Sequence, residues 1–395
     1  MKKPLIVQKF GGTSVGSIER IHTVAKHIIN AKNDGNQVVV VVSAMSGETN
    51  RLMDLAHQVD EVPSARELDV LLSAGEQMSM ALLAMTLNKL GHVASSLTGR
   101  QAGIVTNNQY NDATIRHINT AKIDELLSQE QIVIVAGFQG VSESGDITTL
   151  GRGGSDTTAV TLAGALNADE CQIFTDVDGV YTCDPRVVKT AKKLEAIDFP
   201  TMEEMARKGA KVLHLPCVQY ARQNGVPLRV LSTFDSGPGS LVKGEECHNP
   251  VCGVAIQRNL VRVSFQYGQI SSVLQQCHML GIQIWSTIKE EQQSCIIINQ
   301  EQYAKLNILF DNKISGVEPI SVLTLVGTRA NELYELSCEL LTPYSIEVGH
   351  FDIQDRSLML FLSMESIDKA ANLLHDSYIT PSEMLEIHQK RVLLG

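Results

Sequence analysis

Lys9 closes a short apolar run, Leu5 to Gln8, and is followed at once by Gly11 and Gly12 in the stretch KFGGTSVG. A cation beside backbone bare of side chains suits phosphate oxygens, and a helix after such a loop points N–H groups and partial positive charge at an anion. The same letters also fit a plain β–α turn. In GRGGSD (151–156), Arg152 stands among three glycines before a helix whose cap is expected at Ser155 or Asp156. Its planar guanidinium matches a carboxylate in bidentate fashion, with a glycine hinge and an exposed arginine as the other reading. Ser43, Ser46 and Thr49 in VVSAMSGETN follow a valine strand, where open α/β sheets bind ligands, although a solvated loop with a helix cap uses the same residues. TDVDGVYTCDPR (175–186) holds Asp176, Asp178 and Asp184 without the twelve-residue ligand spacing and terminal Glu of an EF-hand. Tyr181 and Arg186 there suit a turn around a nucleotide base and its phosphates, or a loop and nothing more.

The elements that must position these loops alternate through the first ~235 residues. Ile18, Ile21, Ala25, Ile28 and Ile29 recur at helical spacing, and Val38 to Val42 is an unbroken β-branched run of the kind buried on both faces of a parallel sheet. A long helix is expected over 65–90, a strand over 131–136, a helix over 155–167 and a strand over 170–174. A further helix over 214–224 and a strand over 226–231 complete the series. Gly, Pro and charge break the rhythm at 235–250, which marks a boundary. Beyond it, strand–helix–strand–strand–helix over 260–310 repeats over 321–375, an internal repeat of βαββαβ type offset by about 60 residues.

The chain has 395 residues, 44% of them hydrophobic and 19% charged, which is globular composition with room for two or three domains. Lys plus Arg number 33 against 44 Asp plus Glu, a net charge of −11, and no long basic run appears, which argues against general nucleic-acid binding. No apolar stretch is read as approaching a membrane span, and MKKPLIVQKF runs into a strand pattern, so the expected setting is soluble and cytoplasmic. The eight cysteines are expected to be reduced thiols. Cys247, His248 and Cys252 form one isolated cluster without a second pair, so no metal ligands are assigned. There is no G-x-x-x-x-G-K-[ST], no H-R-D with D-F-G and no H-E-x-x-H, which removes the P-loop, protein-kinase and zincin patterns.

Taken together, KFGGTS, VSAMSGETN, LGRGGSD and TDVDGVYTCDPR, with LLSAGEQMS (71–79) and GAKVLHLP (209–216), resemble the aspartate kinase branch of the amino-acid kinase family in order and spacing. The likeness covers residues 5–245. It implies an α/β fold: a parallel-rich sheet of about eight strands sandwiched by helices, followed by two α+β units similar to ACT domains. The implied domains are a catalytic domain over 1–245, a first ACT-like unit over 251–315 and a second over 316–395. The implied reaction is ATP-dependent phosphorylation of the L-aspartate side-chain carboxylate to 4-phospho-L-aspartate. That is the first step toward lysine, threonine, methionine and diaminopimelate. The length leaves no room for a homoserine dehydrogenase fusion, so a monofunctional form is expected. The alternatives are a kinase of the same fold for another acidic amino acid and a catalytically silent amino-acid sensor.

The resemblance also carries roles onto matching positions. Lys9 with Gly11 and Gly12 would neutralise the transferring phosphoryl group, and Asp156 would organise the pocket. Thr49, Glu76, Arg152 and Ser155 would hold aspartate, Glu76 by its ammonium and Arg152 by its α-carboxylate, with Phe138 and Gly153 shaping the pocket. Lys9, Gly12, Ser43, Thr175, Asp176, Tyr181, Arg186 and Lys211 would line the ATP site. Mg²⁺ would ride on the ATP phosphates. ACT-like units pair across chains, so a homodimer or higher homo-oligomer is expected, with lysine or threonine as candidate allosteric effector. Two departures stand out: His214 is followed by Leu215 before Pro216, and neither repeat has an Asp-x-Pro-Gly turn. No effector-contacting residue is therefore assigned.

Overall fold

The structure, a computed structural model, describes residues 3–210, 212–245, 249–266, 268, 270–289 and 293–379. The chain forms two compact units, one of Met1–Val180, Leu194–Met202 and Val212–Glu245, the other of Tyr181–Lys193, Glu203–Lys211 and Glu246–Gly395.

The first unit runs β1 (Leu5–Phe10), α1 (Ile18–Asn33), β2 (Gln37–Val42), α2 (Glu48–Val59), α3 (Ala65–Lys89), β3 (Ala94–Leu97), β4 (Ile104–Thr106) and β5 (Ile115–Ile118). It continues through α4 (Ala121–Ser128), β6 (Ile132–Ala136), β7 (Gln139–Ser142), β8 (Ile147–Thr149), α5 (Gly154–Leu166) and β9 (Glu170–Thr175). β10 (Ala196–Ile197), α6 (Phe199–Arg207), α7 (Leu215–Gln223), β11 (Leu228–Ser232) and β12 (Ser240–Val242) follow, α6 ending among residues of the second unit. Eight strands form one sheet in the order β10-β12-β11-β9-β1-β2-β6-β3. Every pair is parallel except β11 with β12. All five valines from Val38 to Val42 are fully buried, as the unbroken run predicts for a strand covered on both faces. On α1, Ile21, Val24, Ala25 and Ile28 are buried, and Ser17 caps the helix by accepting the Arg20 N–H at 3.3 Å. The isoleucines and the valine each contribute about 1.5–3 kcal/mol when fully buried. A smaller sheet, β5-β4-β7-β8, stands beyond the elements expected from the sequence.

The 25-residue helix α3 corrects the expectation that no stretch approaches a membrane span, since it is long and apolar enough by length and composition. Half of its apolar window is buried here: Leu72, Met80, Leu83 and Leu87 face the core, and two carboxylates, Asp69 and Glu76, are buried with them. α7 begins at Leu215 with Pro216 in its first turn, where the missing N–H costs nothing, so the extra leucine shifts the helix start without harm.

In the second unit β13 (Gly253–Gln266), α8 (Ile270–Met279), β14 (Ile284–Lys289), β15 (Gln293–Asn299) and α9 (Gln300–Phe310) make the first repeat. β16 (Ile314–Val326), α10 (Tyr334–Leu341), β17 (His350–Gln354), β18 (Ser357–Leu362) and α11 (Ile367–Tyr378) make the second. Their strands share one antiparallel sheet, β14-β15-β13-β16-β18-β17, because β13 and β16 pair from Gly253↔Val326 to Phe265↔Ile314. Two segments from the middle of the sequence pack here as well. The Thr182 carbonyl accepts from Val254 N–H at 2.7 Å, and its hydroxyl lies 2.8 Å from Nε2 of the buried His375. Buried Glu204 accepts from the Ser357 hydroxyl at 2.7 Å, and buried Lys208 donates to Gln354 Oε1 at 2.8 Å. Cys171, Cys183, Cys217, Cys277, Cys295 and Cys338 are free thiols, while Cys252 is disulfide-bonded, against the expectation of reduced thiols throughout. Cys247 and His248 lie outside the described residues.

Candidate active site

The carboxyl ends of β1, β2 and β6 meet the start of α5 around a cavity of about 430 Å³ in the first unit. Lys9, Gly12, Ser43, Thr49, Glu76, Phe138, Arg152, Gly153, Ser155 and Asp156 all line it, so three loops and one helix far apart in sequence converge on one place. Lys9 lies between β2 and β9 in the sheet, level with Val41 and Ile173. Its ammonium sits 2.6 Å from Asp156 Oδ1, and both side chains are about one-tenth exposed, at 11% and 10%. Asp156 belongs to the first turn of α5, where an acid complements the positive end of the helix. The ion pair thus holds Lys9 at the helix start, beside the site of an incoming anion.

Gly12 is required by contact: a Cβ there would lie 2.9 Å from the Ala44 carbonyl oxygen. The Gly12 carbonyl accepts from Ser46 N–H at 3.1 Å, tying the first glycine loop to the serine loop. Gly11 is placed differently from the phosphate-cradle expectation. Its N–H donates to the Phe174 carbonyl at 3.2 Å, so what it offers is space next to the Lys9 ammonium.

Glu76 reaches the cavity from α3 and is 4% exposed. One carboxyl oxygen accepts from Ala44 N–H at 3.1 Å, and the other, Oε2, is buried with no hydrogen-bond partner. Burial is the main cause that pushes its pKa up to about 7, against the smaller lowering by backbone donors. A buried carboxylate with a spare oxygen is set up for a cationic partner. Arg152 is exposed and makes no ion pair among the described residues, so its fork is available to a carboxylate.

α5 starts at Gly154 with left-handed Gly153 (φ 74°) as its cap, which corrects the expectation of a Ser155 or Asp156 cap; both sit inside the first turn, buried. A side chain at Gly153 would also collide with the His214 ring, 2.5 Å away. Phe138 adopts φ 67°, costly for an aromatic residue. It is held there by its N–H to Thr158 Oγ1 (3.1 Å) and by its carbonyl, which accepts from Leu150 N–H (2.9 Å).

Thr175 ends β9 and Asp176 follows it, bonded to each other at 3.0 Å, and neither lines the cavity. Tyr181 and Arg186 belong to the second unit, where the exposed Arg186 grips Asp184 through Nε and Nη2 at 2.8–3.2 Å. Lys211 lies outside the described residues. Asn50, Met45 and His214 also line the cavity, beyond the residues the sequence assigns to it. Asn50 adjoins Thr49 in its motif, and His214 sits inside GAKVLHLP, so motif membership was the available signal. Among the described residues no group of three or more His, Cys, Asp or Glu is arranged to hold a metal ion.

Comparison with known proteins bears on this geometry. Residues 4–232 match the amino acid kinase family. An aspartate kinase of Pseudomonas putida is 41% identical over 399 residues, spanning 95% of this chain and 97% of the relative. E. coli aspartokinase III in complex with aspartate and ADP (R-state) superposes with a TM-score of 0.77 at 25% identity, covering 95% of this chain and 100% of that one. The same enzyme with lysine and aspartate (T-state) gives 0.78 at 25% identity, covering 95% and 99%. A family match across more than half the sequence, and a relative this similar along nearly all of it, settle the lineage: the chain belongs to the amino acid kinase family, among its aspartate kinases.

Proposed function

We propose that the cavity carries out phosphoryl transfer from ATP to the side-chain carboxylate of L-aspartate, giving 4-phospho-L-aspartate and ADP. The observation that carries this reading is the pairing of the unpartnered Glu76 Oε2 with the unpaired Arg152 around the Lys9–Asp156 ion pair. An α-amino acid offers an ammonium to the first and an α-carboxylate to the second. Its side-chain carboxylate then points along the cavity toward Lys9, with Thr49 and Ser155 as hydroxyl donors and Phe138 and Gly153 as walls.

A carboxylate needs no general base at neutral pH, so the chemical problem is repulsion between two anions. A carboxylate oxygen forms a bond to the γ-phosphorus as the bond to the β–γ bridging oxygen breaks, leaving that electron pair on ADP. Lys9 neutralises the charge that spreads over the γ-phosphoryl oxygens, and the start of α5 adds its partial positive charge. Ser43 and Gly12 border the nucleotide end, and Thr175, Asp176, Tyr181, Arg186 and Lys211 complete the proposed ATP set. Magnesium would arrive as part of the MgATP substrate.

The catalytic domain is proposed over 1–245, with ACT-like units over 251–315 and 316–395 that pair between chains in a homo-oligomer. Lysine is the first effector to test, because the E. coli relative is known in a lysine complex. A cytoplasmic setting is proposed from its substrates. A coupled ADP-release assay with aspartate, glutamate and N-acetylglutamate tests the substrate. Turnover with aspartate is expected, and turnover only with the other two would overturn the reading.

A further inference from the structure

α3 carries a second buried carboxylate that the phosphoryl transfer does not use. Asp69 lies two turns before Glu76 and is 0% exposed. It accepts from three donors: Asn111 N–H at 3.1 Å to each oxygen, Thr149 N–H at 2.9 Å and the Thr149 hydroxyl at 2.6 Å. Thr149 ends β8, and Leu150, Gly151 and Arg152 follow it directly. Asn111 belongs to the loop that supports the same turn. Ala113 N–H donates to the Thr149 carbonyl at 2.8 Å, and a Cβ on left-handed Gly151 would touch Asp112 Oδ1 at 2.9 Å.

The other strand of the hairpin is tied to the same helix. Gln139 is the register partner of Thr149 and follows Phe138. Its amide donates to the Ser73 carbonyl at 2.9 Å, and its oxygen accepts from Gln77 at 3.2 Å. Positions 69, 73 and 77 recur every four residues, so one face of α3 grips the base of the hairpin on both strands.

We propose that Asp69 is a positioning residue for aspartate recognition, fixing the separation between Glu76 and the Arg152 loop. This rests on Glu76 and Arg152 being the anchors for the substrate's ammonium and α-carboxylate. Glu76 is held rigidly by its own helix. Arg152 is exposed and flanked by left-handed Gly151 and Gly153, so nothing local fixes it. Asp69 supplies the missing constraint by fastening the residues that enter the loop to the helix that carries the partner anchor. The clamp needs an acceptor-only group: an amide at 69 would turn an NH₂ toward N–H donors.

Asp69→Asn and Thr149→Val are compared with wild type by steady-state kinetics on the folded protein. The expected result is a rise in KM for aspartate of about tenfold, with KM for ATP and kcat within about twofold, because a misplaced anchor loses binding geometry while the phosphoryl end stays intact. Thr149→Ser keeps the hydroxyl and is expected to restore the wild-type KM. In an Arg152→Ala background, Thr149→Val should add nothing further, because its effect runs through Arg152. Should Asp69→Asn fail to fold, Thr149→Val decides alone. An unchanged KM for aspartate, or an equal rise for ATP, overturns the positioning role and leaves a purely structural clamp. If Arg152→Ala itself leaves KM for aspartate unchanged, the anchor assignment fails instead, which keeps the two failures distinguishable.

Discussion

Glu76, Arg152, Ser155 and Phe138 reach one cavity from a helix, the turn into a second helix, that helix's first turn and the bend after a strand, whereas Asp176, Tyr181 and Arg186 are strung along the stretch that leaves β9 and passes from one compact unit into the other. Glu76 and Ser155 owe their geometry to packed helices, while Phe138 and Arg152 stand in turns whose own or neighbouring residues are hydrogen-bonded to α5 and α3. Residues on such elements keep the neighbours that their motifs imply. The second group takes its positions from whatever packs against each stretch of loop. Thr182 is held by Val254 and His375, and Arg186 turns to Asp184. The two groups therefore differ in what sets their positions, helices and the turns bonded to them for the first and contacts local to each stretch of chain for the second.

Removing the charge at the phosphoryl end should break the site most severely. Lys9→Ala is expected to lower kcat by about a thousandfold or more with the circular dichroism spectrum unchanged, since it takes a preorganised cation from the transition state and leaves Asp156 unpaired. A kcat near wild type would remove Lys9 from the chemistry. Next in size is Arg152→Ala, which should raise KM for aspartate by about ten- to a hundredfold while kcat stays within a few-fold. An unchanged KM would place the α-carboxylate elsewhere.

The third effect concerns pH. Burial lifts the Glu76 carboxyl from its ordinary 4.5 to about 7, so the free protein holds this proton below about pH 7 and releases it above. Aspartate's ammonium needs the carboxylate form. KM for aspartate should therefore rise as pH falls below about 7, by at most about tenfold per pH unit. Glu76→Gln should give a KM that is high and flat across the same range, and a sloping profile in that variant would assign the titration to another group. The smallest effect belongs to the loop. Arg186→Ala is expected to raise KM for ATP by about two- to threefold, because the side chain is exposed and already paired with Asp184. No change in KM for ATP would separate Arg186 from the nucleotide altogether.

Periodicity and burial explain which parts of the fold could be read beforehand. The valine run, the α1 pattern and the repeat beyond residue 250 are strongly apolar and regular, and each became the expected element. The sheet of β4, β5, β7 and β8 escaped because its strands are three or four residues long and carry sequences such as QGVS and ITT. α2 is not among the expected elements, because Ser and Gly stand just before it and its apolar face is short. The pooling of both repeats into one sheet depends on pairs from Gly253↔Val326 to Phe265↔Ile314, and the docking of 181–193 and 203–211 on contacts 193 and 153 residues apart, none of which a local pattern encodes. Within the site, Lys9 and Arg152 announced themselves through adjacent glycines. Glu76 did so only through its family block, and Asp69, an acid inside ELDVLL, had no signal to separate it from an ordinary surface carboxylate.

Calorimetric titration of aspartate with ADP present, at about pH 7 and in buffers of different ionisation enthalpy, counts the protons exchanged on binding. If the buried Glu76 receives the substrate's ammonium, each aspartate bound should expel about half a proton, and Glu76→Gln should expel none. Binding by the wild-type protein with no net proton release would contradict that arrangement.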